Sequence, residues 1–496
     1  MMRAADLRRR LKRWVAPGLR FFTGGRRLRP DAGLRLHGQR NDGRPGAMAE
    51  LYALAWPITA GMLGETALGL VDTKLVGGLG PAALAGVGIA TMLLFVGYAM
   101  IFGLMRAVKV RAAHAVGQGR PEDAVRYAEA GVVIGAAAGV VLFVVSRDVS
   151  PMLSFLRIDP TMIPAARDFV AARTWGAIGT CAGAALIQYL QGVGDARAPM
   201  VVGILGNVIN AGLGYALIYG RLGLPALGVR GAGYATAVSE MLELGVLLAV
   251  VVPRARRGPR PALARRAALR EVAALGVPTG LHFVLEGAAF TTFTTILGAM
   301  GAEQMAAHQI ALNTIRASFL PGVAISEAAS VLVARALGRR RLDEADGVAR
   351  AALLLGVGFM TACGIGFALF GASIARVFTE EPEVVAVTRR LLLVAAVFQT
   401  LDAVNMILRG ALRGARDVRW VALVGTTVAW ISIPGAAFLL GRLLGWGAFG
   451  GWIGFVFETT IASALLWWRW SRGPWRDAHG ARATEEAAPL SVPTMG

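Results

Sequence analysis

Apolar residues run along this chain in blocks of about twenty or more, separated by short segments rich in arginine, glycine and proline. Reading the blocks against the breakers predicts twelve spans: 50–77, 83–108, 124–146, 163–190, 199–220, 231–253, 271–299, 304–335, 346–377, 385–408, 420–441 and 449–471. A helix needs about twenty residues to cross a hydrocarbon layer ~30 Å thick. Several blocks are longer, so tilt or protrusion beyond the bilayer is expected. Because backbone polar groups inside a bilayer must be bonded within their own segment, blocks of this length imply helices and an all-α membrane protein.

The polar positions between the blocks are uneven. Lys109, Arg111 and Arg120 follow span 2, and Arg254, Arg256, Arg257, Arg260, Arg265 and Arg266 follow span 6. Arg339, Arg340 and Arg341 follow span 8, and Arg409, Arg413, Arg416 and Arg419 are assigned to the loop after span 10. The intervening loops are poorer in arginine or balanced by acids such as Glu380, Glu381 and Glu383. Basic loops stay on the cytoplasmic side, so the even-numbered loops and both termini are expected there.

Composition agrees. The chain is 55% hydrophobic and 17% charged, far from an ordinary soluble protein. Its net charge of +20 would suggest nucleic acid in a soluble chain, but basic residues in alternate loops are a topology signal, and no nucleic-acid partner is expected. The 64 glycines suit close contact between helices in lipid. Cys181 and Cys363 both lie in apolar blocks without metal-binding spacing, and no phosphate-binding or dinucleotide motif occurs. No cofactor, no resident metal, no ATP-driven step and no enzymatic chemistry are expected. Residues 1–47 are basic and lack an apolar core, which excludes a secretory signal. They are read as a disordered cytoplasmic tail, an organellar transit peptide, or a start placed upstream of Met48.

The halves of the chain repeat. Glu50-x-x-Ala-Leu-x-x-Pro57 recurs as Glu271-x-x-Ala-Leu-x-x-Pro278, a shift of 221 residues. The same shift pairs Glu65 with Glu286, Gly77 with Gly298, Gly80 with Gly301 and Gly117 with Gly338. After a drift of one, Gln191-Gly-x-x-Asp195-x-Arg197 matches Arg413-Gly-x-x-Asp417-x-Arg419. Each half holds six spans, so the repeats share one topology about an axis along the membrane normal. The expected organisation is a head (1–47), an N lobe (48–253), a cytoplasmic linker (254–270), a C lobe (271–472) and a cytoplasmic tail (473–496).

The first span carries two acids, Glu65 and Asp72, in Gly61–Gly80. Seven residues apart, they lie on one helical face about 10 Å apart along the axis. A charge inside a span costs roughly 2.5–3.5 kcal/mol on insertion scales, so it is expected to face a bundle interior or a water-filled cavity.

Pro57, Val71-Asp72-Thr73, Gly77-Gly78-Leu79-Gly80 and Ala83-Leu84-Ala85-Gly86, followed by Ala306-Ala307-His308-Gln309-Ile310, resemble the multidrug and toxic compound extrusion (MATE) transporters. The likeness spans about residues 50–471, with a leaning to the DinF-like bacterial branch. It implies two six-helix lobes around a central cavity and export driven by an inward proton or sodium gradient. Asp72 matches the N-lobe acid that binds a coupling cation; Lys74, unusual for this motif, points to another face. Glu286 matches the C-lobe glutamate, with His282 one turn before it and Glu65 as its repeat partner. Asp402 lies in Phe398-Gln-Thr-Leu-Asp-Ala-Val-Asn405, the second C-lobe ligand of sodium-coupled members, with Gln399 and Asn405 at spacings of three. Two carboxylates with amide oxygens would suit a transient Na⁺ at Glu286 and Asp402, and one shared proton would suit H⁺. Asn207 and Asn210 in span 5 are read as partners of Asp72 or as packing groups, with Gly214 standing where many members carry an acid. Glu240, Glu327 and Glu458 are read as interior pairing groups, ahead of a role in lining the cavity or binding a substrate cation. Arg106, Lys109, Arg173 and Arg316 are placed near span ends, where snorkelling is the default.

The expectation is a secondary active antiporter of the bacterial inner membrane, monomeric, exporting amphipathic organic cations in exchange for H⁺ or Na⁺. The alternative is a lipid-linked precursor flippase on a related two-lobed fold, which would need basic residues inside the cavity.

Overall fold

The computed structural model describes residues 46–155 and 158–477. The head up to residue 45 and the tail beyond residue 477 lie outside the described residues. Among those described, twelve helices are long and apolar enough to cross a membrane. They are α1 (Ala47–Gly77), α2 (Pro81–Gly117), α3 (Pro121–Val145), α4 (Ile163–Gly192), α5 (Arg197–Tyr219) and α6 (Val229–Arg257), then α7 (Arg265–Gly298), α8 (Ala302–Gly338), α9 (Leu342–Phe378), α10 (Pro382–Gly414), α11 (Val418–Leu443) and α12 (Gly447–Arg472). A short helix, Ser150–Phe155, precedes α4, and α11 ends in a π-helical stretch over Ala437–Leu443.

Local chemistry explains the boundaries. Proline opens α2, α3 and α10, where its missing N–H leaves no helical bond unmade. Gly80 and Gly301, repeat partners, precede α2 and α8 with φ of 108° and 119°. A Cβ at either glycine would meet nothing within 4 Å, so the demand is for backbone conformation, not space. Both halves turn their first hairpin with the same device.

The helices overrun the predicted spans at the arginine-rich end. α6 continues to Arg257 and α7 begins at Arg265, so the loop between the lobes is 258–264 and not 254–270. Basic side chains in the last turn of α6 favour this extension by facing the negative end of the helix dipole. Arg254 there also pairs with Asp195 at 2.8 Å. α10 runs to Gly414, which corrects the assignment of Arg409 and Arg413 to a loop: both are helical. α2 likewise carries Lys109 within the helix, buried.

Each lobe has its own core. In the N lobe Leu94, Tyr98, Phe169, Val170, Cys181 and Ile218 pack together; in the C lobe Phe293, Ile310, Leu391, Phe398 and Trp452 do so. Apolar side chains such as Met92, Val145, Leu369 and Ile431 remain exposed, as a bilayer-facing or cleft-facing surface requires. The lobes meet through α2 against α7 and α8, and through α1 against α8 and α9. Glycines set the approach: a Cβ on Gly103 would stand 2.6 Å from the Gly280 Cα, and one on Gly276 would stand 2.6 Å from the Leu104 carbonyl. Gly117 and Gly338, at the arginine-rich ends of α2 and α8, also touch. They are repeat partners, so the pseudo-twofold axis passes between them.

Candidate functional site

Two clusters of charged side chains stand among the helices, one in each lobe. In the N lobe Arg173 on α4 forks onto Glu240 of α6, its two terminal nitrogens 2.6 and 2.5 Å from the carboxylate oxygens. The Thr180 hydroxyl donates to the same carboxylate. The Tyr98 ring lies 5.6 Å from the guanidinium carbon, adding a cation–π contact. Arg173 therefore does not snorkel from a span end; it is held inside the lobe. Asp72 lies within electrostatic reach of Arg173 but makes no hydrogen bond or ion pair among the described residues. Glu65 and Glu243 interact electrostatically with each other and with Glu240. Gly206 of α5 gives Glu243 its room, since a Cβ there would run into the carboxyl group. Asp72, Glu240 and Glu243 thus lie within reach of one arginine, which is bonded to Glu240 alone.

Of the two readings of the α5 amides, partners of Asp72 or packing groups, the contacts fit packing. Asn207 lies against Gly64, next to Glu65 in the chain, with its nitrogen 3.2 Å from where a Cβ would be. Asn210 donates to Thr236 at 3.2 Å, and no bond links either asparagine to Asp72. The space beyond Gly214 is taken by Leu75, whose methyl would be 3.4 Å from a Cβ.

In the C lobe Arg409 of α10 is the centre. Its guanidinium reaches Glu286 on α7 at 2.6 Å, Glu458 on α12 at 2.7 Å and the Asn405 oxygen at 2.8 Å. Asn405 turns its amide to Glu458 at 3.2 Å. His282 approaches the second oxygen of Glu286 at 3.4 Å and holds the Thr426 hydroxyl at 3.1 Å through its other nitrogen. Asp402 is half-buried, within electrostatic reach of Glu458, Arg409 and Glu286, yet bonded to none. Gln399 is turned away: its amide donates to Ser318 of α8. Glu286, Asp402, Asn405 and His282 therefore come together, and Gln399 ties α10 to α8 instead.

The repeat shows how the pockets differ. The shift of 222 that pairs Gln191 with Arg413 also pairs Thr180 with Asp402. Thr180 bonds Glu240, and Asp402 faces Glu458, so the same corner of each lobe carries a hydroxyl in one case and a carboxylate in the other. The arginines arrive from opposite directions: Arg173 is seven residues before Thr180, and Arg409 is seven after Asp402. At the repeat partner of Asp72 stands Phe293, fully buried, with its ring edge-on to Phe455 and His308 at centroid distances of 5.1 and 5.3 Å. His308 accepts a hydrogen bond from Trp452 at 3.1 Å, which accounts for a histidine that the sequence left without a role.

Arg409 and Glu243 were the residues missed. Arg409 had a signal: with Asp402 and Asn405 it follows the spacing of one helical face. Glu243 had less, being one of several acids in apolar blocks.

The MatE family model matches the chain twice, over residues 57–216 and 278–438. The offsets between the matches reproduce the internal repeat. Multidrug resistance protein MdtK of Yersinia enterocolitica is 30% identical over 429 residues, 84% of this chain and 93% of the relative. Among solved structures, an outward-facing multidrug resistance MATE transporter overlays with a TM-score of 0.77 at 21% identity, covering 88% of this chain and 96% of the other. The eukaryotic MATE transporter AtDTX14 gives 0.76 at 20% identity, over 89% and 98%. With twelve apolar helices in two repeated lobes and a double match to the family model, this chain is a multi-pass integral membrane protein that belongs to the MATE family of transporters.

Proposed function

We propose that this MATE protein is a secondary active antiporter of a bacterial inner membrane that exports amphipathic organic cations, with protons as the coupling ion. The observation that carries the reading is the inequality of the carboxylates. Glu286 and Glu458 are already balanced by Arg409, whereas Asp72 and Asp402 are half-buried without a bonded partner among the described residues. A charge within a span is costly against lipid, so these groups are taken to face water between the lobes. A Na⁺ ion at Glu286 and Asp402 would have to compete with a resident guanidinium, while a proton needs only one free carboxylate oxygen. The acidic N-lobe wall suits an organic cation. Protonation from outside and substrate binding from inside then disfavour one another, which is the linkage that exchange requires. Contact between the lobes at the arginine-rich end, taken as cytoplasmic with both termini, fits a cleft opening outward, with rocking of the lobes giving access to the other side. Each monomer holds both pockets.

In everted vesicles containing the protein, an organic-cation dye is expected to accumulate on energisation and to leak back when a protonophore is added. Accumulation no greater than in vesicles without the protein contradicts the reading.

One residue favours a second kind of substrate. Arg316, expected near a span end, is the fifteenth residue of α8 and exposed, without an ion pair among the described residues. It precedes Glu327, which faces the other lobe, by eleven residues or about three turns, so it lies on the cleft stripe of α8. A cation there would hold a carboxylate or phosphate, as a zwitterionic substrate or a lipid-linked precursor would offer. Arg316→Ala is expected to lower transport of substrates bearing an anionic group about tenfold, equivalent to ~1.4 kcal/mol, and to spare purely cationic ones. Equal loss for both kinds of substrate in parallel efflux assays contradicts this role.

A further inference from the structure

Arg106 on α2 and Glu327 on α8 are repeat partners, separated by the same 221 residues that relate the two halves. They meet across the lobe boundary, guanidinium to carboxylate, at 2.8 Å. On a pseudo-twofold axis equivalent positions face each other, so identical residues would set like charges together. Here the halves have diverged to opposite charges at the point where they touch. The pair is covered: Glu327 is 4% exposed, and Lys109, 1% exposed, binds its second oxygen from the same N-lobe helix. Arg413 of α10 completes the set, 3.6 Å from Glu327. The Arg106 guanidinium also lies over the Phe283 ring of α7, 4.3 Å from its centroid, a second link between the lobes.

We infer that Arg106, Lys109 and Glu327 form an ion-pair lock between the lobes, which holds the arginine-rich end of the cleft shut and must break for that end to open. The inference rests on the alternating-access reading given above. Separation of α2 from α8 leaves Glu327 with Arg413 in the C lobe and strips both N-lobe cations of their carboxylate. The lock is continuous with the C-lobe pocket. Arg413 donates to the Arg409 backbone carbonyl at 3.1 Å, and the Arg409 side chain holds Glu286 and Glu458. A change of charge in that pocket therefore acts, through one turn of α10, on the group that competes with the N lobe for Glu327.

The test is a distance measurement across the closed end. Spin labels are placed at Gln118 and Asp343, both exposed, in full-length protein with Cys181→Ala and Cys363→Ala, reconstituted in nanodiscs. Without gradients the short distance is expected to dominate. Arg106→Gln leaves Glu327 two cationic partners and so preserves the fold, and it should raise the long-distance fraction about tenfold. Glu327→Gln should raise it further, and Glu327→Asp should keep most of the short population. An unchanged distribution in Arg106→Gln overturns the lock, as does an equal shift in the control Arg221→Gln, a substitution at an exposed loop arginine. If substrate and low pH never change the distance in the parent protein, the alternating-access reading fails and the lock with it. If the parent switches but Arg106→Gln does not differ from it, the lock alone is wrong.

Discussion

Arg409→Ala is expected to destabilise the purified protein strongly and to abolish transport. The substitution leaves Glu286 and Glu458 without the guanidinium that binds both, with Asp402 close by as a third negative group. Removing one partner of a buried ion pair costs about 3–5 kcal/mol, against a total stability on the order of 5–15 kcal/mol for a folded domain. Arg409→Lys keeps a charge but cannot fork to two carboxylates and the Asn405 oxygen at once, so its loss should be intermediate. Two further changes separate the counter-ion from mere packing. Adding Glu286→Gln and Glu458→Gln to Arg409→Ala removes the uncompensated charges and should restore most of the lost thermal stability, without restoring transport. A triple variant that denatures as readily as Arg409→Ala contradicts the counter-ion role.

The opposite pairing of effects is expected in the N lobe. There Glu65, Glu240 and Glu243 repel one another, and only Glu240 has an arginine on it. Glu243→Gln or Glu65→Gln removes a like charge, so the folded protein should be as stable as the parent or more so. Transport of an organic cation should nevertheless fall by at least about tenfold, because the acidic wall that attracts it is weakened. Loss of function with gain of stability is the signature of a site maintained against its own repulsion. Thermal denaturation in detergent together with dye efflux in proteoliposomes checks both. If Glu243→Gln lowers stability and leaves efflux intact, Glu243 is a structural group and the assignment is wrong.

Much of the scaffold could be read from the chain. The period of apolar blocks gave twelve helices because a bilayer permits little else, and Pro57 with Pro278, Gly80 with Gly301 and Gly117 with Gly338 exposed the repeat. Glu286, Asp402, Asn405 and His282 were drawn together by helical spacing and by family resemblance, and they meet in one pocket. The arginines were less legible. Counting basic residues near span ends orients a membrane protein but does not say where a helix stops, and α2, α8 and α10 all continue past the expected bilayer edge. Arg409 and Arg413 looked like loop residues for that reason, and Arg106, Lys109 and Arg173 like snorkelling ones. Their partners, Glu240, Glu286, Glu327 and Glu458, lie 49 to 221 positions away, and no local pattern announces such pairs. At the repeat position of Asp72 the C lobe carries Phe293, fully buried against His308 and Phe455, so the repeat does not transfer an acid from one half to the other.

Arg409 occupies the C-lobe carboxylates Glu286 and Glu458, and the proposed consequence is that the free carboxylates exchange protons and not sodium. Purified protein in liposomes, preloaded with an organic-cation dye, can be given a pH gradient in Na⁺-free buffer or a Na⁺ gradient at equal pH on both sides. Dye efflux is expected to be driven by the pH gradient alone, with no acceleration by the Na⁺ gradient. Efflux driven by Na⁺ at equal pH, with no response to the pH gradient, would contradict it.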